Sequence, residues 1–370
     1  MHASSRRFTA ERKPHLDCAR SLTLGFLITR LPFALTFSSS LQKIAGLNIL
    51  SCLLYIEDED NINRRLNFGN DLRETIMKAV SNEPNVAKRY DANLIECVCT
   101  ALGHFVLIAS TNDIEFVEAH FFKQTGEWIK DSKNEMRRLA AVCILQVLLT
   151  SAPALFFNEE TKARTLEDIW DAARDTKQVI REKASKALGT FLTFIHRRGQ
   201  RANLHGFTSR RHSQRAENRD YYGWCLDEVE GILGEEKCQD NQVHGSLLVA
   251  IELINHPSAL QNSEGDSRLC VDTAKSLHDV MKSRYENFAE LIMKKRSSGN
   301  GLIQSAVIAS IPALATFSPK CFVKTSADHA MSNLECSVNF LKTCVESSSN
   351  GKQDTALLNL GQLCLILGKF

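Results

Sequence analysis

One arrangement of apolar residues recurs seven times along this chain of 370 residues. In every copy, apolar side chains stand seven and ten positions after a reference residue. The reference residues are Lys43, Ile95, Arg137, Arg181, His244, Gln304 and Gln353. The residues at the seventh position, which we predict to form the repeat core, are Leu50, Leu102, Ile144, Leu188, Ile251, Ile311 and Leu360. Such spacing places the apolar residues on one side of an α-helix, within an arc of about 100°.

Successive copies are 52, 42, 44, 63, 60 and 49 residues apart. A period of about 40–47 residues is typical of HEAT and armadillo repeats, with extra length in loops. The 18 Gly and 7 Pro residues are few, which favours long helices. Because one hairpin cannot bury its apolar face alone, stacking is required. We predict an all-α fold, a right-handed α-solenoid of about seven HEAT (armadillo-like) hairpins over residues 39–370.

The helix bounds follow from the same pattern. Outer helices are predicted over residues 113–130, 161–174 and 273–295. Their inner partners begin near Asn134, Lys177 and Gly301.

Two Asp–Arg pairs fall in the predicted turns between outer and inner helices. Asp131 stands six residues before Arg137, and Asp175 stands six before Arg181. In HEAT repeats an Asp at this place can bond the Arg of a neighbouring repeat, so we interpret the four residues as a structural ladder. The alternative is ordinary helix capping by Asp beside a solvated Arg.

An arginine-rich insert at residues 197–219 lengthens the spacing between the fourth and fifth copies. Its only acid is Glu217, and its arginines are Arg197, Arg198, Arg201, Arg210, Arg211, Arg215 and Arg219. This composition suits binding to an acidic protein, RNA or anionic lipid, and the alternative is a disordered, solvated loop. The scarcity of aromatic residues weakens a role in binding single-stranded nucleic acid. A second, short loop insert is predicted at residues 256–269.

No residue pattern in the sequence indicates catalysis. The nearest approach to a phosphate-binding loop runs from Gly361 to Gly368 and Lys369, with six residues between the glycines and no Ser or Thr after the lysine. The spacing of His196, His205 and His212 matches no zinc pattern. We therefore expect no enzyme activity of this chain as it stands, no cofactor or metal, and no small-molecule substrate.

Residues 1–38 fit none of the repeats. A basic start precedes an apolar run over residues 22–37 that Arg30 and Pro32 interrupt. The run is too short and broken for a transmembrane segment, and we leave this atypical N-terminus unassigned, with a signal peptide as the alternative. Most of the 12 cysteines lie in apolar runs, which indicates reduced, buried thiols of a cytoplasmic protein. A net charge of +2 gives no general attraction to nucleic acid or membrane.

Several stretches resemble the N-terminal HEAT region of the target-of-rapamycin (TOR) serine/threonine kinases. They include EFVEAHFFKQTGEWIKDSKNEMRRLAAV from Glu115, IWDAARDTKQVIREKASKALGTFL from Ile169 and GLIQSAVIASIPALATFSPKCF from Gly301. The most specific parts are the helix at Arg137 and Arg138, the turn before Arg181, and the helix start Val243-His244-Gly245. Thr176 stands where the family often has Pro, and the family's long insertion after the Val243 helix is here only residues 256–269.

The resemblance implies a scaffold for proteins in nutrient and growth signalling. In that family the kinase region lies far beyond the HEAT region, which docks Raptor- or Rictor-like subunits and a Rheb-like GTPase and supports dimer assembly. The implied location is the cytoplasm, including endolysosomal or vacuolar membranes reached through partners, and the nucleus. The alternatives are an unrelated HEAT-repeat adaptor, such as a transport receptor or phosphatase scaffold, and a nucleic-acid or acidic-partner binder that uses the arginine insert.

Overall fold

The computed structural model describes residues 69–70, 72–74, 76–77, 80, 92–107, 111–204, 220–256, 277–324, 331–346 and 350–368. Within these ranges the secondary structure is helical and contains no strand, so the predicted all-α class is confirmed. The first copy of the repeat, with Leu50, lies outside the described residues, as do residues 1–38 and most of both predicted inserts. Within the described ranges, no helix combines the length and apolar content that a bilayer crossing requires.

The chain divides into two compact units, residues 1–162 and 163–370. The first unit contains α1 (Ala92–Leu107), α2 (Thr111–Val117), a π-helical segment (Glu118–Phe122), α3 (Lys123–Ile129) and α4 (Glu135–Ser151). A 3-10 turn, Pro153–Phe156, follows α4. Inner helix α4 packs against α1 and α3, and the core residues Leu102 and Ile144 of this unit are fully buried.

The second unit begins within α5 (Glu159–Ala173). Its further helices are α6 (Gln178–Leu204), α7 (Tyr221–Gly234), α8 (Asp240–Asn255), α9 (Leu277–Lys294), α10 (Gly301–Phe317), α11 (Pro319–Val323), α12 (Asn333–Glu346) and α13 (Asn350–Leu367). A 3-10 turn, Lys295–Ser297, follows α9.

The helices of the second unit pack in the order of the sequence. Inner helices α6, α8, α10 and α13 each contact the next, and so do outer helices α7, α9 and α12. Each of these outer helices also contacts the inner helix that follows it. This side-by-side order is that of stacked HEAT or armadillo hairpins, in which each repeat touches only its neighbours.

The helix bounds lie close to those predicted from the apolar pattern. The outer helix expected over 161–174 is α5, and the inner helix expected from Gly301 is α10. Asparagine caps begin two of the inner helices: Asn134 accepts hydrogen bonds from the amides of Met136 and Arg137, and Asn300 accepts one from Leu302. Such caps pair amides that a helix start leaves without partners, so short polar residues mark the boundaries.

The predicted repeat core is not buried uniformly. Leu188 and Ile311 are fully buried, whereas Ile251 and Leu360 are half-buried. In α8 the fully buried stripe runs through Leu247, Ala250 and Leu253 and leaves Ile251 at its edge. Among the described helices, α13 packs against α10 and α12, which leaves Leu360 less covered than its counterparts.

Candidate functional site: a polar seam between inner helices

A line of polar contacts joins the starts of successive inner helices in the second unit. Arg181 Nε donates to His244 Nδ1 at 3.0 Å, between α6 and α8. Asn300 Nδ2 donates to Asp240 Oδ2 at 2.8 Å, between α10 and α8. Lys352 Nζ donates to Gln304 Oε1 at 2.6 Å, between α13 and α10. We call these six residues the polar seam; three of them, Arg181, His244 and Gln304, are reference residues of the sequence repeat.

Arg181 is the most enclosed cation of the seam, with 3% of its surface exposed. Its Nη1 donates to the carbonyl oxygens of Asp175 and Thr176 at 2.7 and 3.0 Å, which are in the turn before α6. Burial lowers the pKa of the guanidinium, while the charges of Asp175 and Glu182 oppose that shift. The side chain therefore ties its own turn to the next repeat through three hydrogen bonds.

His244 receives the bond from Arg181 and is equally enclosed, with 4% of its surface exposed. Because a guanidinium can only donate, Nδ1 of His244 must be the unprotonated acceptor of a neutral ring. Burial, and next the positive charge of Arg181, lower the pKa of His244 to about 4, against an opposite effect of Glu182. The imidazole is thus neutral at pH 7 for reasons that the structure supplies.

A close contact between two helices explains why the third residue of the Val243-His244-Gly245 segment is glycine. A Cβ atom at this position would lie 1.7 Å from the carbonyl oxygen of Ala173 at the end of α5. Asn241 Nδ2 donates to the carbonyl oxygen of Arg174 at 2.6 Å, which pairs another acceptor at the same helix end. The start of α8 therefore contacts the end of α5 at a distance that only glycine allows.

The described bonds of the first Asp–Arg pair lie within one repeat, and the ladder between repeats stays a prediction. Asp131 Oδ2 accepts from Arg137 Nη1 at 3.0 Å, and Oδ1 accepts from the amides of Lys133 and Asn134. Burial raises the pKa of the Asp131 carboxyl, but these amide and guanidinium hydrogen bonds outweigh it and the net pKa lies below its ordinary value. The two amide bonds stabilise the turn before α4, whose N-cap is Asn134, and the ion pair joins Arg137 to that turn.

In the second pair, the aspartate and the arginine make separate described hydrogen bonds. Asp175 Oδ1 accepts from the amide of Lys177 at 2.7 Å, and Arg181 reaches the following repeat at His244. Sequence reasoning missed His244, Asn241, Asn300 and Lys352 as junction residues. The available signal concerned His244 alone: six of the seven reference positions of an otherwise apolar template hold polar residues.

The arginine insert is described only at its beginning. Near the end of α6, Arg197 is exposed and Arg198 is half-buried. Arg201 lies in the last turn of α6, without a described side chain, and Arg210, Arg211, Arg215 and Arg219 lie outside the described residues. The insert as an interaction surface therefore stays a prediction.

The last helix presents an apolar surface. Leu357, Leu358 and Leu365 of α13 are 53%, 63% and 71% exposed. Beside them a shallow groove of about 420 Å³ is lined by residues of α8, α10 and α13, including Asn255, Pro312, Gln362 and Leu365. The glycines considered as a phosphate loop belong to this helical region, since Gly361 is in α13 and the Gly368 amide donates to the Cys364 carbonyl.

Metal binding receives no support from the described side chains, among which no group of three or more His, Cys, Asp or Glu residues could hold an ion. His196 lies near the end of α6, with its ring centroid 6.1 Å from that of His256. His205 and His212 fall outside the described ranges.

The sequence of this chain is similar to parts of several known kinases. The serine/threonine-protein kinase tor1 of Schizosaccharomyces pombe is 23% identical over 307 residues, which is 82% of this chain and 11% of the relative. TOR2 of Saccharomyces cerevisiae is 24% identical over 343 residues, 90% of this chain and 12% of the relative. The chain is distantly similar to the N-terminal portion of TOR kinases. It spans about a tenth of the length of these relatives, and no family model matches it.

Two solved structures are similar at low scores. Importin beta is 12% identical and aligns over 100% of this chain and 50% of its own, with a TM-score of 0.34. A computationally designed armadillo repeat protein is 11% identical and aligns over 79% of this chain and 99% of its own, with a TM-score of 0.31. Scores of this size carry no functional argument, and the stacking of the hairpins rests on the helix contacts themselves.

Proposed function

We propose that this chain is a protein-interaction scaffold, the N-terminal helical stack of a TOR-like kinase in nutrient and growth signalling. The observation that carries the proposal is the similarity to TOR kinases over 82% and 90% of the chain. Its mechanism is positional: a stack of hairpins holds partner proteins at set places relative to a kinase domain. Catalysis of phosphate transfer belongs, in this proposal, to a region that these aligned residues do not include.

The polar seam supports the proposal because a scaffold needs fixed angles between repeats. Buried hydrogen bonds are directional, and a partner lost at a junction leaves a buried polar group unpaired. Arg181, which bonds its own turn and His244, resists rotation of α8 on α6 more than apolar contact alone. A stack fixed in this way keeps its binding surfaces at constant spacing.

The apolar surface of α13 supports contact with other proteins. Exposed leucines clustered on one helix beside a groove are typical of interaction sites on soluble proteins. By resemblance, the partners are Raptor- or Rictor-like subunits, a Rheb-like GTPase and the rest of a TOR kinase chain. These partners place the chain in the cytoplasm, at endolysosomal or vacuolar membranes and in the nucleus.

Affinity capture of the tagged chain, followed by mass spectrometry of the recovered proteins, tests the proposal. We expect TOR-complex subunits to be recovered and expect Leu358→Glu to reduce at least one of them. The matched control is Leu107→Glu, because Leu107 is 60% exposed and lies on α1. Recovery of transport or phosphatase subunits without TOR-complex subunits would contradict the proposal and favour an unrelated adaptor.

The alternative function, binding of an acidic partner or nucleic acid through the arginine insert, makes a different prediction. If the insert binds an acidic partner or nucleic acid, binding will weaken steeply with salt and disappear when residues 197–219 are deleted. If the scaffold proposal is right, the same deletion leaves recovery of TOR-complex subunits unchanged.

A further inference from the structure

Helix α8 is held to α6 by a histidine at each end. His244, in the first turn of α8, bonds Arg181, and His256, just after its last residue, lies 3.1 Å from Thr193 Oγ1 through Nε2. Each histidine is 63 residues after its partner in the sequence. The two contacts therefore have the same alignment of α8 against α6. Each histidine has 4% of its surface exposed.

The donors and acceptors around these rings assign their protons. Arg181 can only donate, so His244 Nδ1 carries no proton and Nε2 carries the ring hydrogen. The Thr193 hydroxyl donates its single hydrogen to the Gly189 carbonyl at 2.9 Å, so it must accept from His256 Nε2. His244 is therefore neutral, with its hydrogen on Nε2. His256 also carries a hydrogen on Nε2, and burial, with the charge of His196, lowers its pKa to about 4, so that this ring is neutral at pH 7.

Protonation affects the two contacts differently. A proton on Nδ1 of His244 would face the Arg181 Nε hydrogen across 3.0 Å, which puts two donors and two positive charges in contact. Arg181 cannot retreat easily, because two carbonyl oxygens of its own turn hold it. By contrast, His256 can take a proton on Nδ1 and keep its bond to Thr193, although burial and the charge of His196 lower the pKa of this ring to about 4 as well. The bond that acid must break is the one between Arg181 and His244.

Charged and polar groups from each neighbouring helix face α8. From α6 these are Arg181 and Glu182 near His244, Lys186 near Glu252, and His196 near His256. From the end of α5 the carbonyl of Arg174 faces Asn241, while the Arg174 guanidinium is bound to Asp171.

At its other sides α8 meets α10 and α7. Asn300 of α10 bonds Asp240 in the first turn of α8, and Tyr222 of α7 lies beside His256. Glu252 has the opposite effect to the histidines on the pH dependence of this junction. Burial raises the pKa of its carboxyl, so protonation of Glu252 stabilises the closed junction. A test must therefore isolate His244.

We propose that the α6–α8 junction is an acid-operated hinge, in which protonation of His244 releases Arg181 and opens this junction while the α8–α10 and α10–α13 junctions stay closed. The other two junctions are joined by Asn300–Asp240 and Lys352–Gln304. Neither bond involves a histidine. The response is thus confined to one place in the stack.

The sign and range of the effect follow from proton linkage. The pKa of His244 is about 4 when the junction is closed and 6.5, its ordinary value, when it is open. Above pH 7 neither state is protonated and the junction is unaffected. As pH falls below 6.5 the open state binds a proton that the closed state does not, and at pH 5 the opening equilibrium is favoured by about 30-fold. The effect approaches its limit only as pH falls below 4, where both states are protonated.

Amide hydrogen exchange at pH 7.5 and 5.0, corrected for intrinsic exchange rates, measures the opening. In the wild-type chain we expect the first turns of α8 to lose at least about 30-fold protection at pH 5.0, with α10 and α13 unchanged. The test variant is His244→Gln, because the amide oxygen of Gln can accept from Arg181 but does not titrate. We expect it to lose about 30-fold less protection than the wild type at pH 5.0, because His256 still titrates in the variant. The control, His120→Gln in the first unit, should behave as wild type.

Equal loss of protection in the wild type and in His244→Gln, or a loss spread evenly over α10 and α13, would overturn the proposal. A direct measurement covers the case in which the variant fails to fold. The chain is labelled with 13C at its histidine rings, and the resonance of His244 is followed by NMR as pH falls. A midpoint below 5 supports the hinge, and one near 6.5 contradicts it.

Discussion

Asn359 of α13 donates through Nδ2 to the carbonyl oxygen of Ile308 in α10, at 2.9 Å. That carbonyl lacks its usual helical partner, because the residue four positions later is Pro312, which has no amide hydrogen. The proline interrupts the hydrogen bonds of one inner helix, and the next inner helix supplies the missing donor. A local sequence defect and a junction between repeats therefore depend on each other.

Replacement of Asn359 tests this dependence. Asn359→Ala removes the donor and leaves a buried carbonyl unpaired, so we expect the free energy of unfolding to fall by about 1–3 kcal/mol. In a Pro312→Ala background the helix regains an amide for Ile308, and the same change should cost about 1 kcal/mol less. Urea unfolding of the four proteins in this double-mutant cycle measures the coupling. Equal costs in both backgrounds would show that Asn359 acts by packing alone.

Gly245 should not tolerate a methyl group. In Gly245→Ala the Cβ would lie 1.7 Å from the Ala173 carbonyl oxygen, so α5 and α8 must separate. We expect a loss of about 1–3 kcal/mol or more, because backbone rather than a flexible side chain must move. The matched control is Gly231→Ala in α7, where nothing lies within 4 Å of the new atom and helix propensity predicts a gain of about 0.5–1 kcal/mol. Thermal unfolding of both variants should give shifts of opposite sign.

Arg181 and Arg137 occupy the same repeat position but should differ in energy. Arg181→Met leaves two carbonyl oxygens and the Nδ1 of His244 without their donor in a buried site, at about 2–4 kcal/mol. Arg137→Met removes an ion pair whose arginine side chain is 39% exposed, which is worth at most about 1 kcal/mol. Urea unfolding at pH 7.5 checks the ranking. Similar costs for the two variants would mean that burial of Arg181 is not what makes its bonds valuable.

Aspartate substitutions should affect stability differently in the buried core and on the exposed apolar surface of α13. Leu188 is fully buried, so Leu188→Asp places a charge in an apolar interior and should unfold the surrounding repeats, at several kcal/mol. Leu358 is 63% exposed, and Leu358→Asp should leave the free energy of unfolding within about 0.5 kcal/mol of wild type. Circular dichroism during urea unfolding measures both. A large loss in Leu358→Asp would indicate that α13 is covered in solution.

The apolar periodicity by itself determined the helices, their approximate bounds and their arrangement as hairpins. It can do so because a helical stripe is a local property, and a stripe at each copy of the template leaves stacking as the way to bury it. The same pattern placed Leu102, Ile144, Leu188 and Ile311 in the interior. It also selected the reference positions of three seam residues, Arg181, His244 and Gln304, without indicating what they bond.

Only the tertiary structure decided which side chains meet across a junction. Arg181 bonds His244, 63 residues away, and Asp131 bonds Arg137 of its own repeat. Sequence spacing cannot specify such pairs, because loop length and the rotation of one hairpin on the next determine which groups face each other. The same rotation leaves Ile251 at the edge of a buried stripe, brings Gly245 against the Ala173 carbonyl and gives His244 its neutral, acid-sensitive state.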